Sequence, residues 1–87
     1  MSAPRLAPGF RLHHDAARGR WVVMGPERMF VPDETALAVL RLVDGARDEA
    51  AIVAELARQY DAPAEVIGAD VRALLDDLRG RGAIRDG

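Results

Sequence analysis

The chain has 87 residues, a formal net charge of −2, and 49% apolar and 30% charged residues, which predicts one globular domain with a small core. It contains no Cys and no Lys, and its aliphatic hydroxyl groups are limited to Ser2 and Thr35, which excludes disulfides, thiolate catalysis and Schiff-base chemistry. We therefore expect a protein that is not an enzyme, has no catalytic residue, and needs no cofactor or metal ion.

The first nine residues contain two Pro and one Gly, and predict a flexible or irregular lead-in over residues 1–9, followed by a single domain over residues 10–87. The N-terminus has no apolar stretch of the kind found in secretion signals, and no apolar run approaches the length of a membrane span. We expect a cytoplasmic protein without a membrane partner.

A strand pattern begins after this lead-in. Residues 10–14 alternate in polarity, and residues 20–24 are rich in β-forming side chains. Asp15 and Gly19 are typical of a hairpin turn between two such strands. A third short strand over residues 28–31 ends at a proline, which cannot donate a ladder hydrogen bond. Together these segments predict a three-stranded antiparallel sheet at the N-terminal end.

The hydrophobic period then becomes helical. A first helix is predicted over residues 34–43 with Asp33 as its N-cap, a second over residues 48–60, and a third over residues 63–81 with Asp61 as its cap. The predicted buried faces are Leu37, Leu40 and Val43; Ile52, Val53, Leu56, Ala57 and Tyr60; and Ile67, Val71, Leu74, Leu75 and Leu78, with Ile84 closing the core as a short strand or plug.

Three strands followed by three helices predict an α+β domain with a winged-helix-like arrangement. This arrangement suggests a DNA-binding regulator that uses residues 63–81 as its recognition helix. That helix carries a net charge of −1, and the whole segment after residue 31 carries −5, whereas DNA binding requires cations against the phosphates. DNA binding therefore stays as the alternative function, and we expect no nucleic-acid partner.

His13 and His14 are the only adjacent pair of metal-ligand type. Neighbouring residues on a strand point to opposite faces of the sheet, so both rings cannot easily reach one ion. No Cys or third His completes a site. The pair therefore does not indicate a metal centre.

The second and third predicted strands are apolar at successive positions, so that both faces of the sheet carry apolar side chains. One face can cover the helices, and the other must be buried by a partner or remain exposed. A short strand at a sheet edge suits β-augmentation, in which an extended peptide adds to the edge. A homodimer that buries the sheet is equally compatible with the residues alone.

Five motifs follow one another in the chain: Asp15-x-x-Arg18-Gly19-Arg20-Trp21-Val22-Val23, Pro26-Glu27-Arg28, Leu40-x-Leu42-Val43-Asp44-Gly45, Ile52-x-x-x-Leu56-x-x-x-Tyr60 and Asp70-Val71-x-x-Leu74-Leu75-x-x-Leu78. In this order they resemble the PqqD family of pyrroloquinoline quinone (PQQ) biosynthesis over about residues 10–85. Many members have Pro and Cys where this chain has Ala16 and Val43.

The resemblance implies a RiPP recognition element, a winged-helix-like domain that binds a ribosomally made precursor peptide. It implies a non-catalytic peptide chaperone that binds the precursor PqqA and presents it to the radical S-adenosylmethionine enzyme PqqE. In related elements the peptide pairs with the third strand and packs against the third helix. The groove implied for this chain is formed by Arg28, Met29, Phe30 and Val31 and by Ile67, Asp70, Val71, Leu74 and Leu75.

The hairpin between the first two strands is rich in Arg and is not needed for this groove. Its residues are therefore a candidate surface for the partner enzyme or for self-association as a homodimer. They are Arg11, Arg18, Arg20 and Trp21.

Overall fold

The computed structural model describes residues 3–86, so that the first two residues of the predicted lead-in lie outside the described part of the chain. The fold is a small α+β domain with three helices and two antiparallel sheets. Its elements in chain order are β1 (Pro4–Leu6), β2 (Arg11–Asp15), β3 (Arg20–Gly25), β4 (Arg28–Phe30), α1 (Glu34–Leu40), α2 (Glu49–Tyr60), α3 (Ala64–Gly80) and β5 (Ile84–Asp86).

The predicted three-stranded antiparallel sheet is present, in the order β2–β3–β4. In the first turn the backbone N–H of Arg18 donates to Asp15 Oδ1 at 3.3 Å, and Gly19 has a φ of 63°. The second turn is a two-residue loop in which Glu27 has a φ of 57°. The third strand of this sheet ends at Phe30, one residue earlier than predicted.

The predicted irregular lead-in is wrong for residues 4–6, which form β1 and pair with β5 in a second antiparallel sheet. Pro4 is buried, and its carbonyl accepts a hydrogen bond from the backbone N–H of Gly45 at 3.0 Å. Proline has no backbone N–H to donate, and it is tolerated in an edge strand because a residue there can face away from the neighbouring strand. Residues 3–86 therefore contain five strands, whereas three were predicted, with a short strand at Ile84 as one of two alternatives for the tail.

β5 is also tied to α3 through a charged pair. Arg79 donates from Nε and Nη2 to the two carboxylate oxygens of Asp86, each at 3.0 Å. Ile84 at the start of β5 is buried, as the sequence predicted. β1 and β5 are thus paired with each other, and β5 is also joined to the last helix.

α1 is shorter than predicted and ends at Leu40. Its N-cap is Asp33, as expected, and the Asp33 side chain accepts a hydrogen bond from the Ala36 backbone at 2.8 Å. Leu42 and Val43 follow in tight backbone turns and are nonetheless buried. Burial of these side chains therefore does not require the helix to continue.

The N-cap of α2 is Asp48, whereas the predicted cap of α3 is wrong. Asp61 ends α2 in a left-handed conformation with a φ of 50°, and its backbone N–H donates to the carbonyl of Ala57. α3 begins after Pro63, which provides no side-chain cap hydrogen bond. The same Asp thus terminates the earlier helix instead of starting the later one.

One core is shared by β3, the three helices and β5. Tyr60, which was predicted to be buried, is 57% exposed at the end of α2. None of the helices in residues 3–86 is long and apolar enough to span a bilayer. The core consists of Val23, Val39, Leu40, Leu42, Val43, Ile52, Leu56, Val71, Leu75, Leu78, Ala83 and Ile84.

Gly25 in β3 is required by a close approach of the Phe10 ring. A Cβ atom at Gly25 would lie 2.3 Å from Cε2 of Phe10. We expect Gly25→Ala to lower the free energy of unfolding by about 1–3 kcal/mol because the ring must leave its position. The measurement is urea or thermal unfolding followed by circular dichroism.

Gly80→Ala provides the matched control. Gly80 is the last residue of α3, and apart from its chain neighbours and the backbone of its own helix no described atom lies within 4 Å of the position of its Cβ. The exchange should be neutral or stabilising by up to about 1 kcal/mol, because Ala favours the helix. If the Gly25→Ala protein and the parent had the same free energy of unfolding, Phe10 would not pack against Gly25.

Glu55 on α2 accepts hydrogen bonds from Arg58 and Gln59, and these lower the pKa of Glu55 from 4.5 to about 2. Because the folded pKa lies below the unfolded one, the stabilisation is complete above about pH 4.5 and is lost as the pH falls towards 2. A carboxyl ¹³C titration should find the low pKa of Glu55. In the Arg58→Ala protein the pKa of Glu55 should return towards 4.5, and an unchanged titration would contradict the assignment.

Candidate functional site

β4 lies at the edge of the three-stranded sheet, with β3 on one side and no paired strand among residues 3–86 on the other. The register pairs Gly25 with Arg28 across the two-residue loop. Such a loop is closed by a hydrogen-bonded pair, and bonded and non-bonded pairs alternate along an antiparallel ladder. The next pair, Met24 with Met29, is therefore non-bonded. The backbone N–H and C=O of Met29 point away from β3, where a further strand could reach them.

The side chains of β4 lie on opposite faces of the sheet. Phe30 pairs with Val23, which is fully buried, and packs against the core. Met29 pairs with Met24 on the other face and is 53% exposed. Val31, directly after the strand, is 49% exposed. The face with Phe30 is called the inner face below, and the face with Met29 the outer face.

β4 is joined to the C-terminal end of α3 by two contacts. Arg28 donates from Nη1 to the backbone carbonyl of Arg81 at 2.8 Å. The guanidinium of Arg81 lies over the ring of Phe30, 5.2 Å from its centroid, in a cation–π contact. These contacts bring together the two elements that were predicted to form the walls of a groove.

The predicted groove residues of α3 differ in accessibility. Val71 and Leu75 are 1% and 0% exposed and belong to the core, which corrects the assignment of Leu75 to an open groove. Ile67 and Leu74 are partly buried against that core, and Asp70 is exposed. Of the groove residues predicted on α3, those with accessible atoms are therefore Ile67, Asp70 and Leu74.

A cavity of about 340 Å³ lies where the three helices meet. Its floor is formed by the buried side chains of Val39 and Leu56, with Val71 beside them. Ile67 and Asp70 line it from α3, so that three of the predicted groove residues reach this cavity. The remaining lining residues are Glu34, Thr35, Ala38 and Tyr60.

The sequence did not indicate those last four residues. One signal was available for Glu34 and Thr35, because only residues 31–33 separate β4 from α1. The start of α1 must therefore lie close to the end of β4. Tyr60 gave no comparable signal, since its spacing on α2 is that of a core residue.

The predicted hairpin surface is divided between the two faces of the sheet. Trp21 pairs with His14 across the two strands, and the centroids of their rings are 4.9 Å apart. The guanidinium of Arg41, at the end of α1, lies over the Trp21 ring. Trp21 therefore faces the helices. Alternation along the strands places Arg11 and Arg20 on the outer face instead.

The outer face combines basic and apolar side chains. Arg11 pairs with the partly buried Met24, which neighbours the exposed Met29 in the next strand. Arg18 lies in the turn and forms an ion pair with Asp15 at 3.2 Å, which together with the Arg18 backbone bond lowers the pKa of Asp15. The outer face thus carries Arg11 at one end of the hairpin and Arg20 next to the turn, with Arg18 in the turn itself and Trp21 on the other face.

The family model for coenzyme PQQ synthesis protein D (PqqD) matches residues 20–84. The chain is 47% identical over 85 residues to a PqqA binding protein of Rhodopseudomonas palustris (strain TIE-1), covering 98% of this chain and 83% of the relative. It is 45% identical over 84 residues to a PqqA binding protein of Xanthomonas euvesicatoria pv. vesicatoria (strain 85-10), covering 97% of this chain and 91% of the relative.

Two solved structures have a similar fold. One is the solution structure of the PqqD truncation of Methylobacterium extorquens PqqCD, described as a functional and stand-alone RiPP recognition element, with a TM-score of 0.78 and 39% identity over 94% of this chain and 87% of that one. The other is the crystal structure of PqqD from Xanthomonas campestris, with a TM-score of 0.65 and 40% identity over 97% of this chain and 93% of that one.

The two faces of β4 should respond differently to truncation. Phe30→Ala removes a ring that packs on the core and carries the contact with Arg81, and we expect a loss of about 2–4 kcal/mol in the free energy of unfolding. Met29→Ala should change it by less than about 0.5 kcal/mol, because this side chain is exposed. Denaturant unfolding of both proteins tests this, and equal losses would contradict the assignment of faces.

Proposed function

Because the chain belongs to the PqqD family, we propose that it binds the ribosomal precursor peptide PqqA and presents it to the radical S-adenosylmethionine enzyme PqqE in pyrroloquinoline quinone biosynthesis. It does so as a non-catalytic adaptor in the cytoplasm. The observation that carries the proposal is that relatives named PqqA binding protein match nearly the whole chain at 45–47% identity. The open edge of β4 gives that function a physical basis.

The peptide adds to β4 as a fourth strand of the sheet. The outward N–H and C=O groups of Met29 pair with the backbone of the peptide. Because outward and inward residues alternate along the strand, the N–H and C=O groups of Val31 also pair with the peptide. Ordering a disordered peptide costs about 2–5 kcal/mol, so backbone pairing alone gives weak binding. Side chains of the peptide must supply the remaining free energy.

α3 supplies the second wall of the groove. Peptide side chains on the inner face of the extended sheet point towards Ile67 and Leu74, which are partly buried and apolar. In this use the winged-helix-like arrangement offers α3 to a peptide and not to a DNA groove. Neither the described residues nor the comparisons favour the alternative of a DNA-binding regulator.

The outer face is left uncovered by a peptide on the β4 edge. Arg11, Arg18 and Arg20 with Met24 form a mixed basic and apolar surface there. We propose this surface as the contact for PqqE, and a homodimer through the same surface as the competing use. Basic and apolar side chains side by side suit an acidic protein surface with apolar patches.

Amide hydrogen exchange with a synthetic PqqA peptide tests strand addition at single residues. On binding, the amide protons of Met29 and Val31 should exchange at least tenfold more slowly, because they acquire acceptors in the peptide. Those of Arg28 and Phe30 point towards β3 and should change little. Protection spread over other surfaces, with none at Met29 or Val31, would contradict the proposed edge.

Substitution of Met29 tests the same edge through affinity. Met29→Pro removes the outward N–H at an edge position, where proline is tolerated, and should weaken PqqA binding more than tenfold. Met29→Val keeps the N–H and should bind within about twofold of the parent. Calorimetric titration measures both, after the amide spectrum of each variant has shown that the fold is retained. Equal affinity of the two variants would exclude backbone pairing at Met29.

A further inference from the structure

The cavity between the three helices has an apolar floor and a polar rim. The floor side chains Val39, Leu56 and Val71 are 1–3% exposed. The rim carries two carboxylates, Glu34 and Asp70, both exposed. No basic residue from the described part of the chain lines the cavity. A volume of about 340 Å³ is at the small end of the range for binding pockets and suits one side chain better than a whole ligand.

The two rim carboxylates also lack a counter-charge. Most acidic residues of the described chain that are not helix caps form ion pairs with Arg, among them Glu55 with Arg58. Neither Glu34 nor Asp70 forms an ion pair with any residue between positions 3 and 86. Two unpaired carboxylates on one rim repel anions and attract cations.

Tyr60 adds an aromatic surface to this rim. It is 57% exposed at the end of α2, although its position in the sequence is that of a core residue. The face of a tyrosine ring attracts Lys and Arg and also covers their aliphatic stems. An apolar floor, an aromatic wall and an anionic rim together fit a long aliphatic side chain with a positive end.

The cavity lies within reach of a peptide on the β4 edge. α1, which contributes Glu34 to the rim, begins only four residues after the last residue of β4. α3 contributes Asp70 to the rim and also forms the second wall of the proposed groove. A peptide paired with β4 therefore approaches this cavity from the end of the strand that carries Val31.

We propose that this cavity takes one Lys or Arg side chain of the bound peptide, and that Glu34 and Asp70 select for it. The inference rests on the proposed binding of a precursor peptide and adds a position at which the peptide must be basic. Apolar contacts hold the stem of the side chain, and the two carboxylates neutralise its charge at the rim. An acidic residue at the same place in the peptide is disfavoured by both carboxylates.

The test combines the charge-neutral variant Glu34→Gln/Asp70→Asn with synthetic PqqA peptides in which each Lys or Arg in turn is replaced by norleucine. Norleucine keeps the stem and removes the charge. The double variant should bind unaltered PqqA about five- to tenfold more weakly than the parent, with the difference decreasing in high salt. One of the norleucine peptides should bind the parent protein more weakly than unaltered PqqA does, by a similar factor. On the double variant the same peptide should lose little further affinity, because the charged contact is already absent.

Asp61→Asn/Glu65→Gln is the matched control. It also removes two negative charges, one at the end of α2 and one in the first turn of α3, but neither residue lines the cavity. The affinity of this control for PqqA should stay within about twofold of that of the parent. This result would separate a local contact in the cavity from the long-range electrostatic effect of the protein's net charge.

The possible outcomes separate the two proposals. If unaltered PqqA binds the parent and the Glu34→Gln/Asp70→Asn protein equally, or if every norleucine peptide binds the parent as well as PqqA does, the cavity inference is overturned and peptide binding stands. If PqqA binds the parent not at all at millimolar concentration, the proposed function is overturned, and the cavity inference with it. Equal losses in the cavity variant and the control also overturn the cavity inference.

Discussion

Burial of one face of α3 is the constraint on which the arrangement of this domain depends. Val71, Leu75 and Leu78 are almost completely buried in a core that also receives side chains from β3, α1, α2 and β5. The core of a domain of this size is small and each element must contribute to it, so packing of this face fixes where α3 lies. Its position in turn places Ile67, Asp70 and Leu74 at the margin of the core, where a ligand can reach them.

The sheet has an unpaired edge at β4 that does not interrupt the core. β4 directs Phe30 inwards and Met29 outwards, and only one of its two backbone sides is paired. Contacts from Arg28 and Arg81 hold it beside the end of α3. An added strand therefore meets a surface that is already in place, and the cost of binding is borne mainly by the ordering of the peptide.

The positive and negative charges of the domain are concentrated on two different surfaces. The outer face of the sheet carries Arg11, Arg18 and Arg20, whereas the rim of the cavity carries Glu34 and Asp70. In the proposed function, a peptide with a basic residue and a protein with an acidic surface are assigned to different places on the same small domain. Complementary charge of this kind contributes more to specificity and to the rate of encounter than to affinity.

The sequence by itself determined the elements that depend on neighbouring residues: the β2–β3–β4 meander, the Asp33 cap, the buried face of α3, and membership of the family. The tertiary structure decided what depends on distant residues or on which exposed surfaces meet. β1 forms because β5 lies beside it, although its partner is at the other end of the chain. Tyr60 is exposed, and Glu34 joins Asp70 around one cavity, because of how the helices cross. Periodicity shows which face of an element is apolar, whereas the meeting of two polar faces follows only from packing.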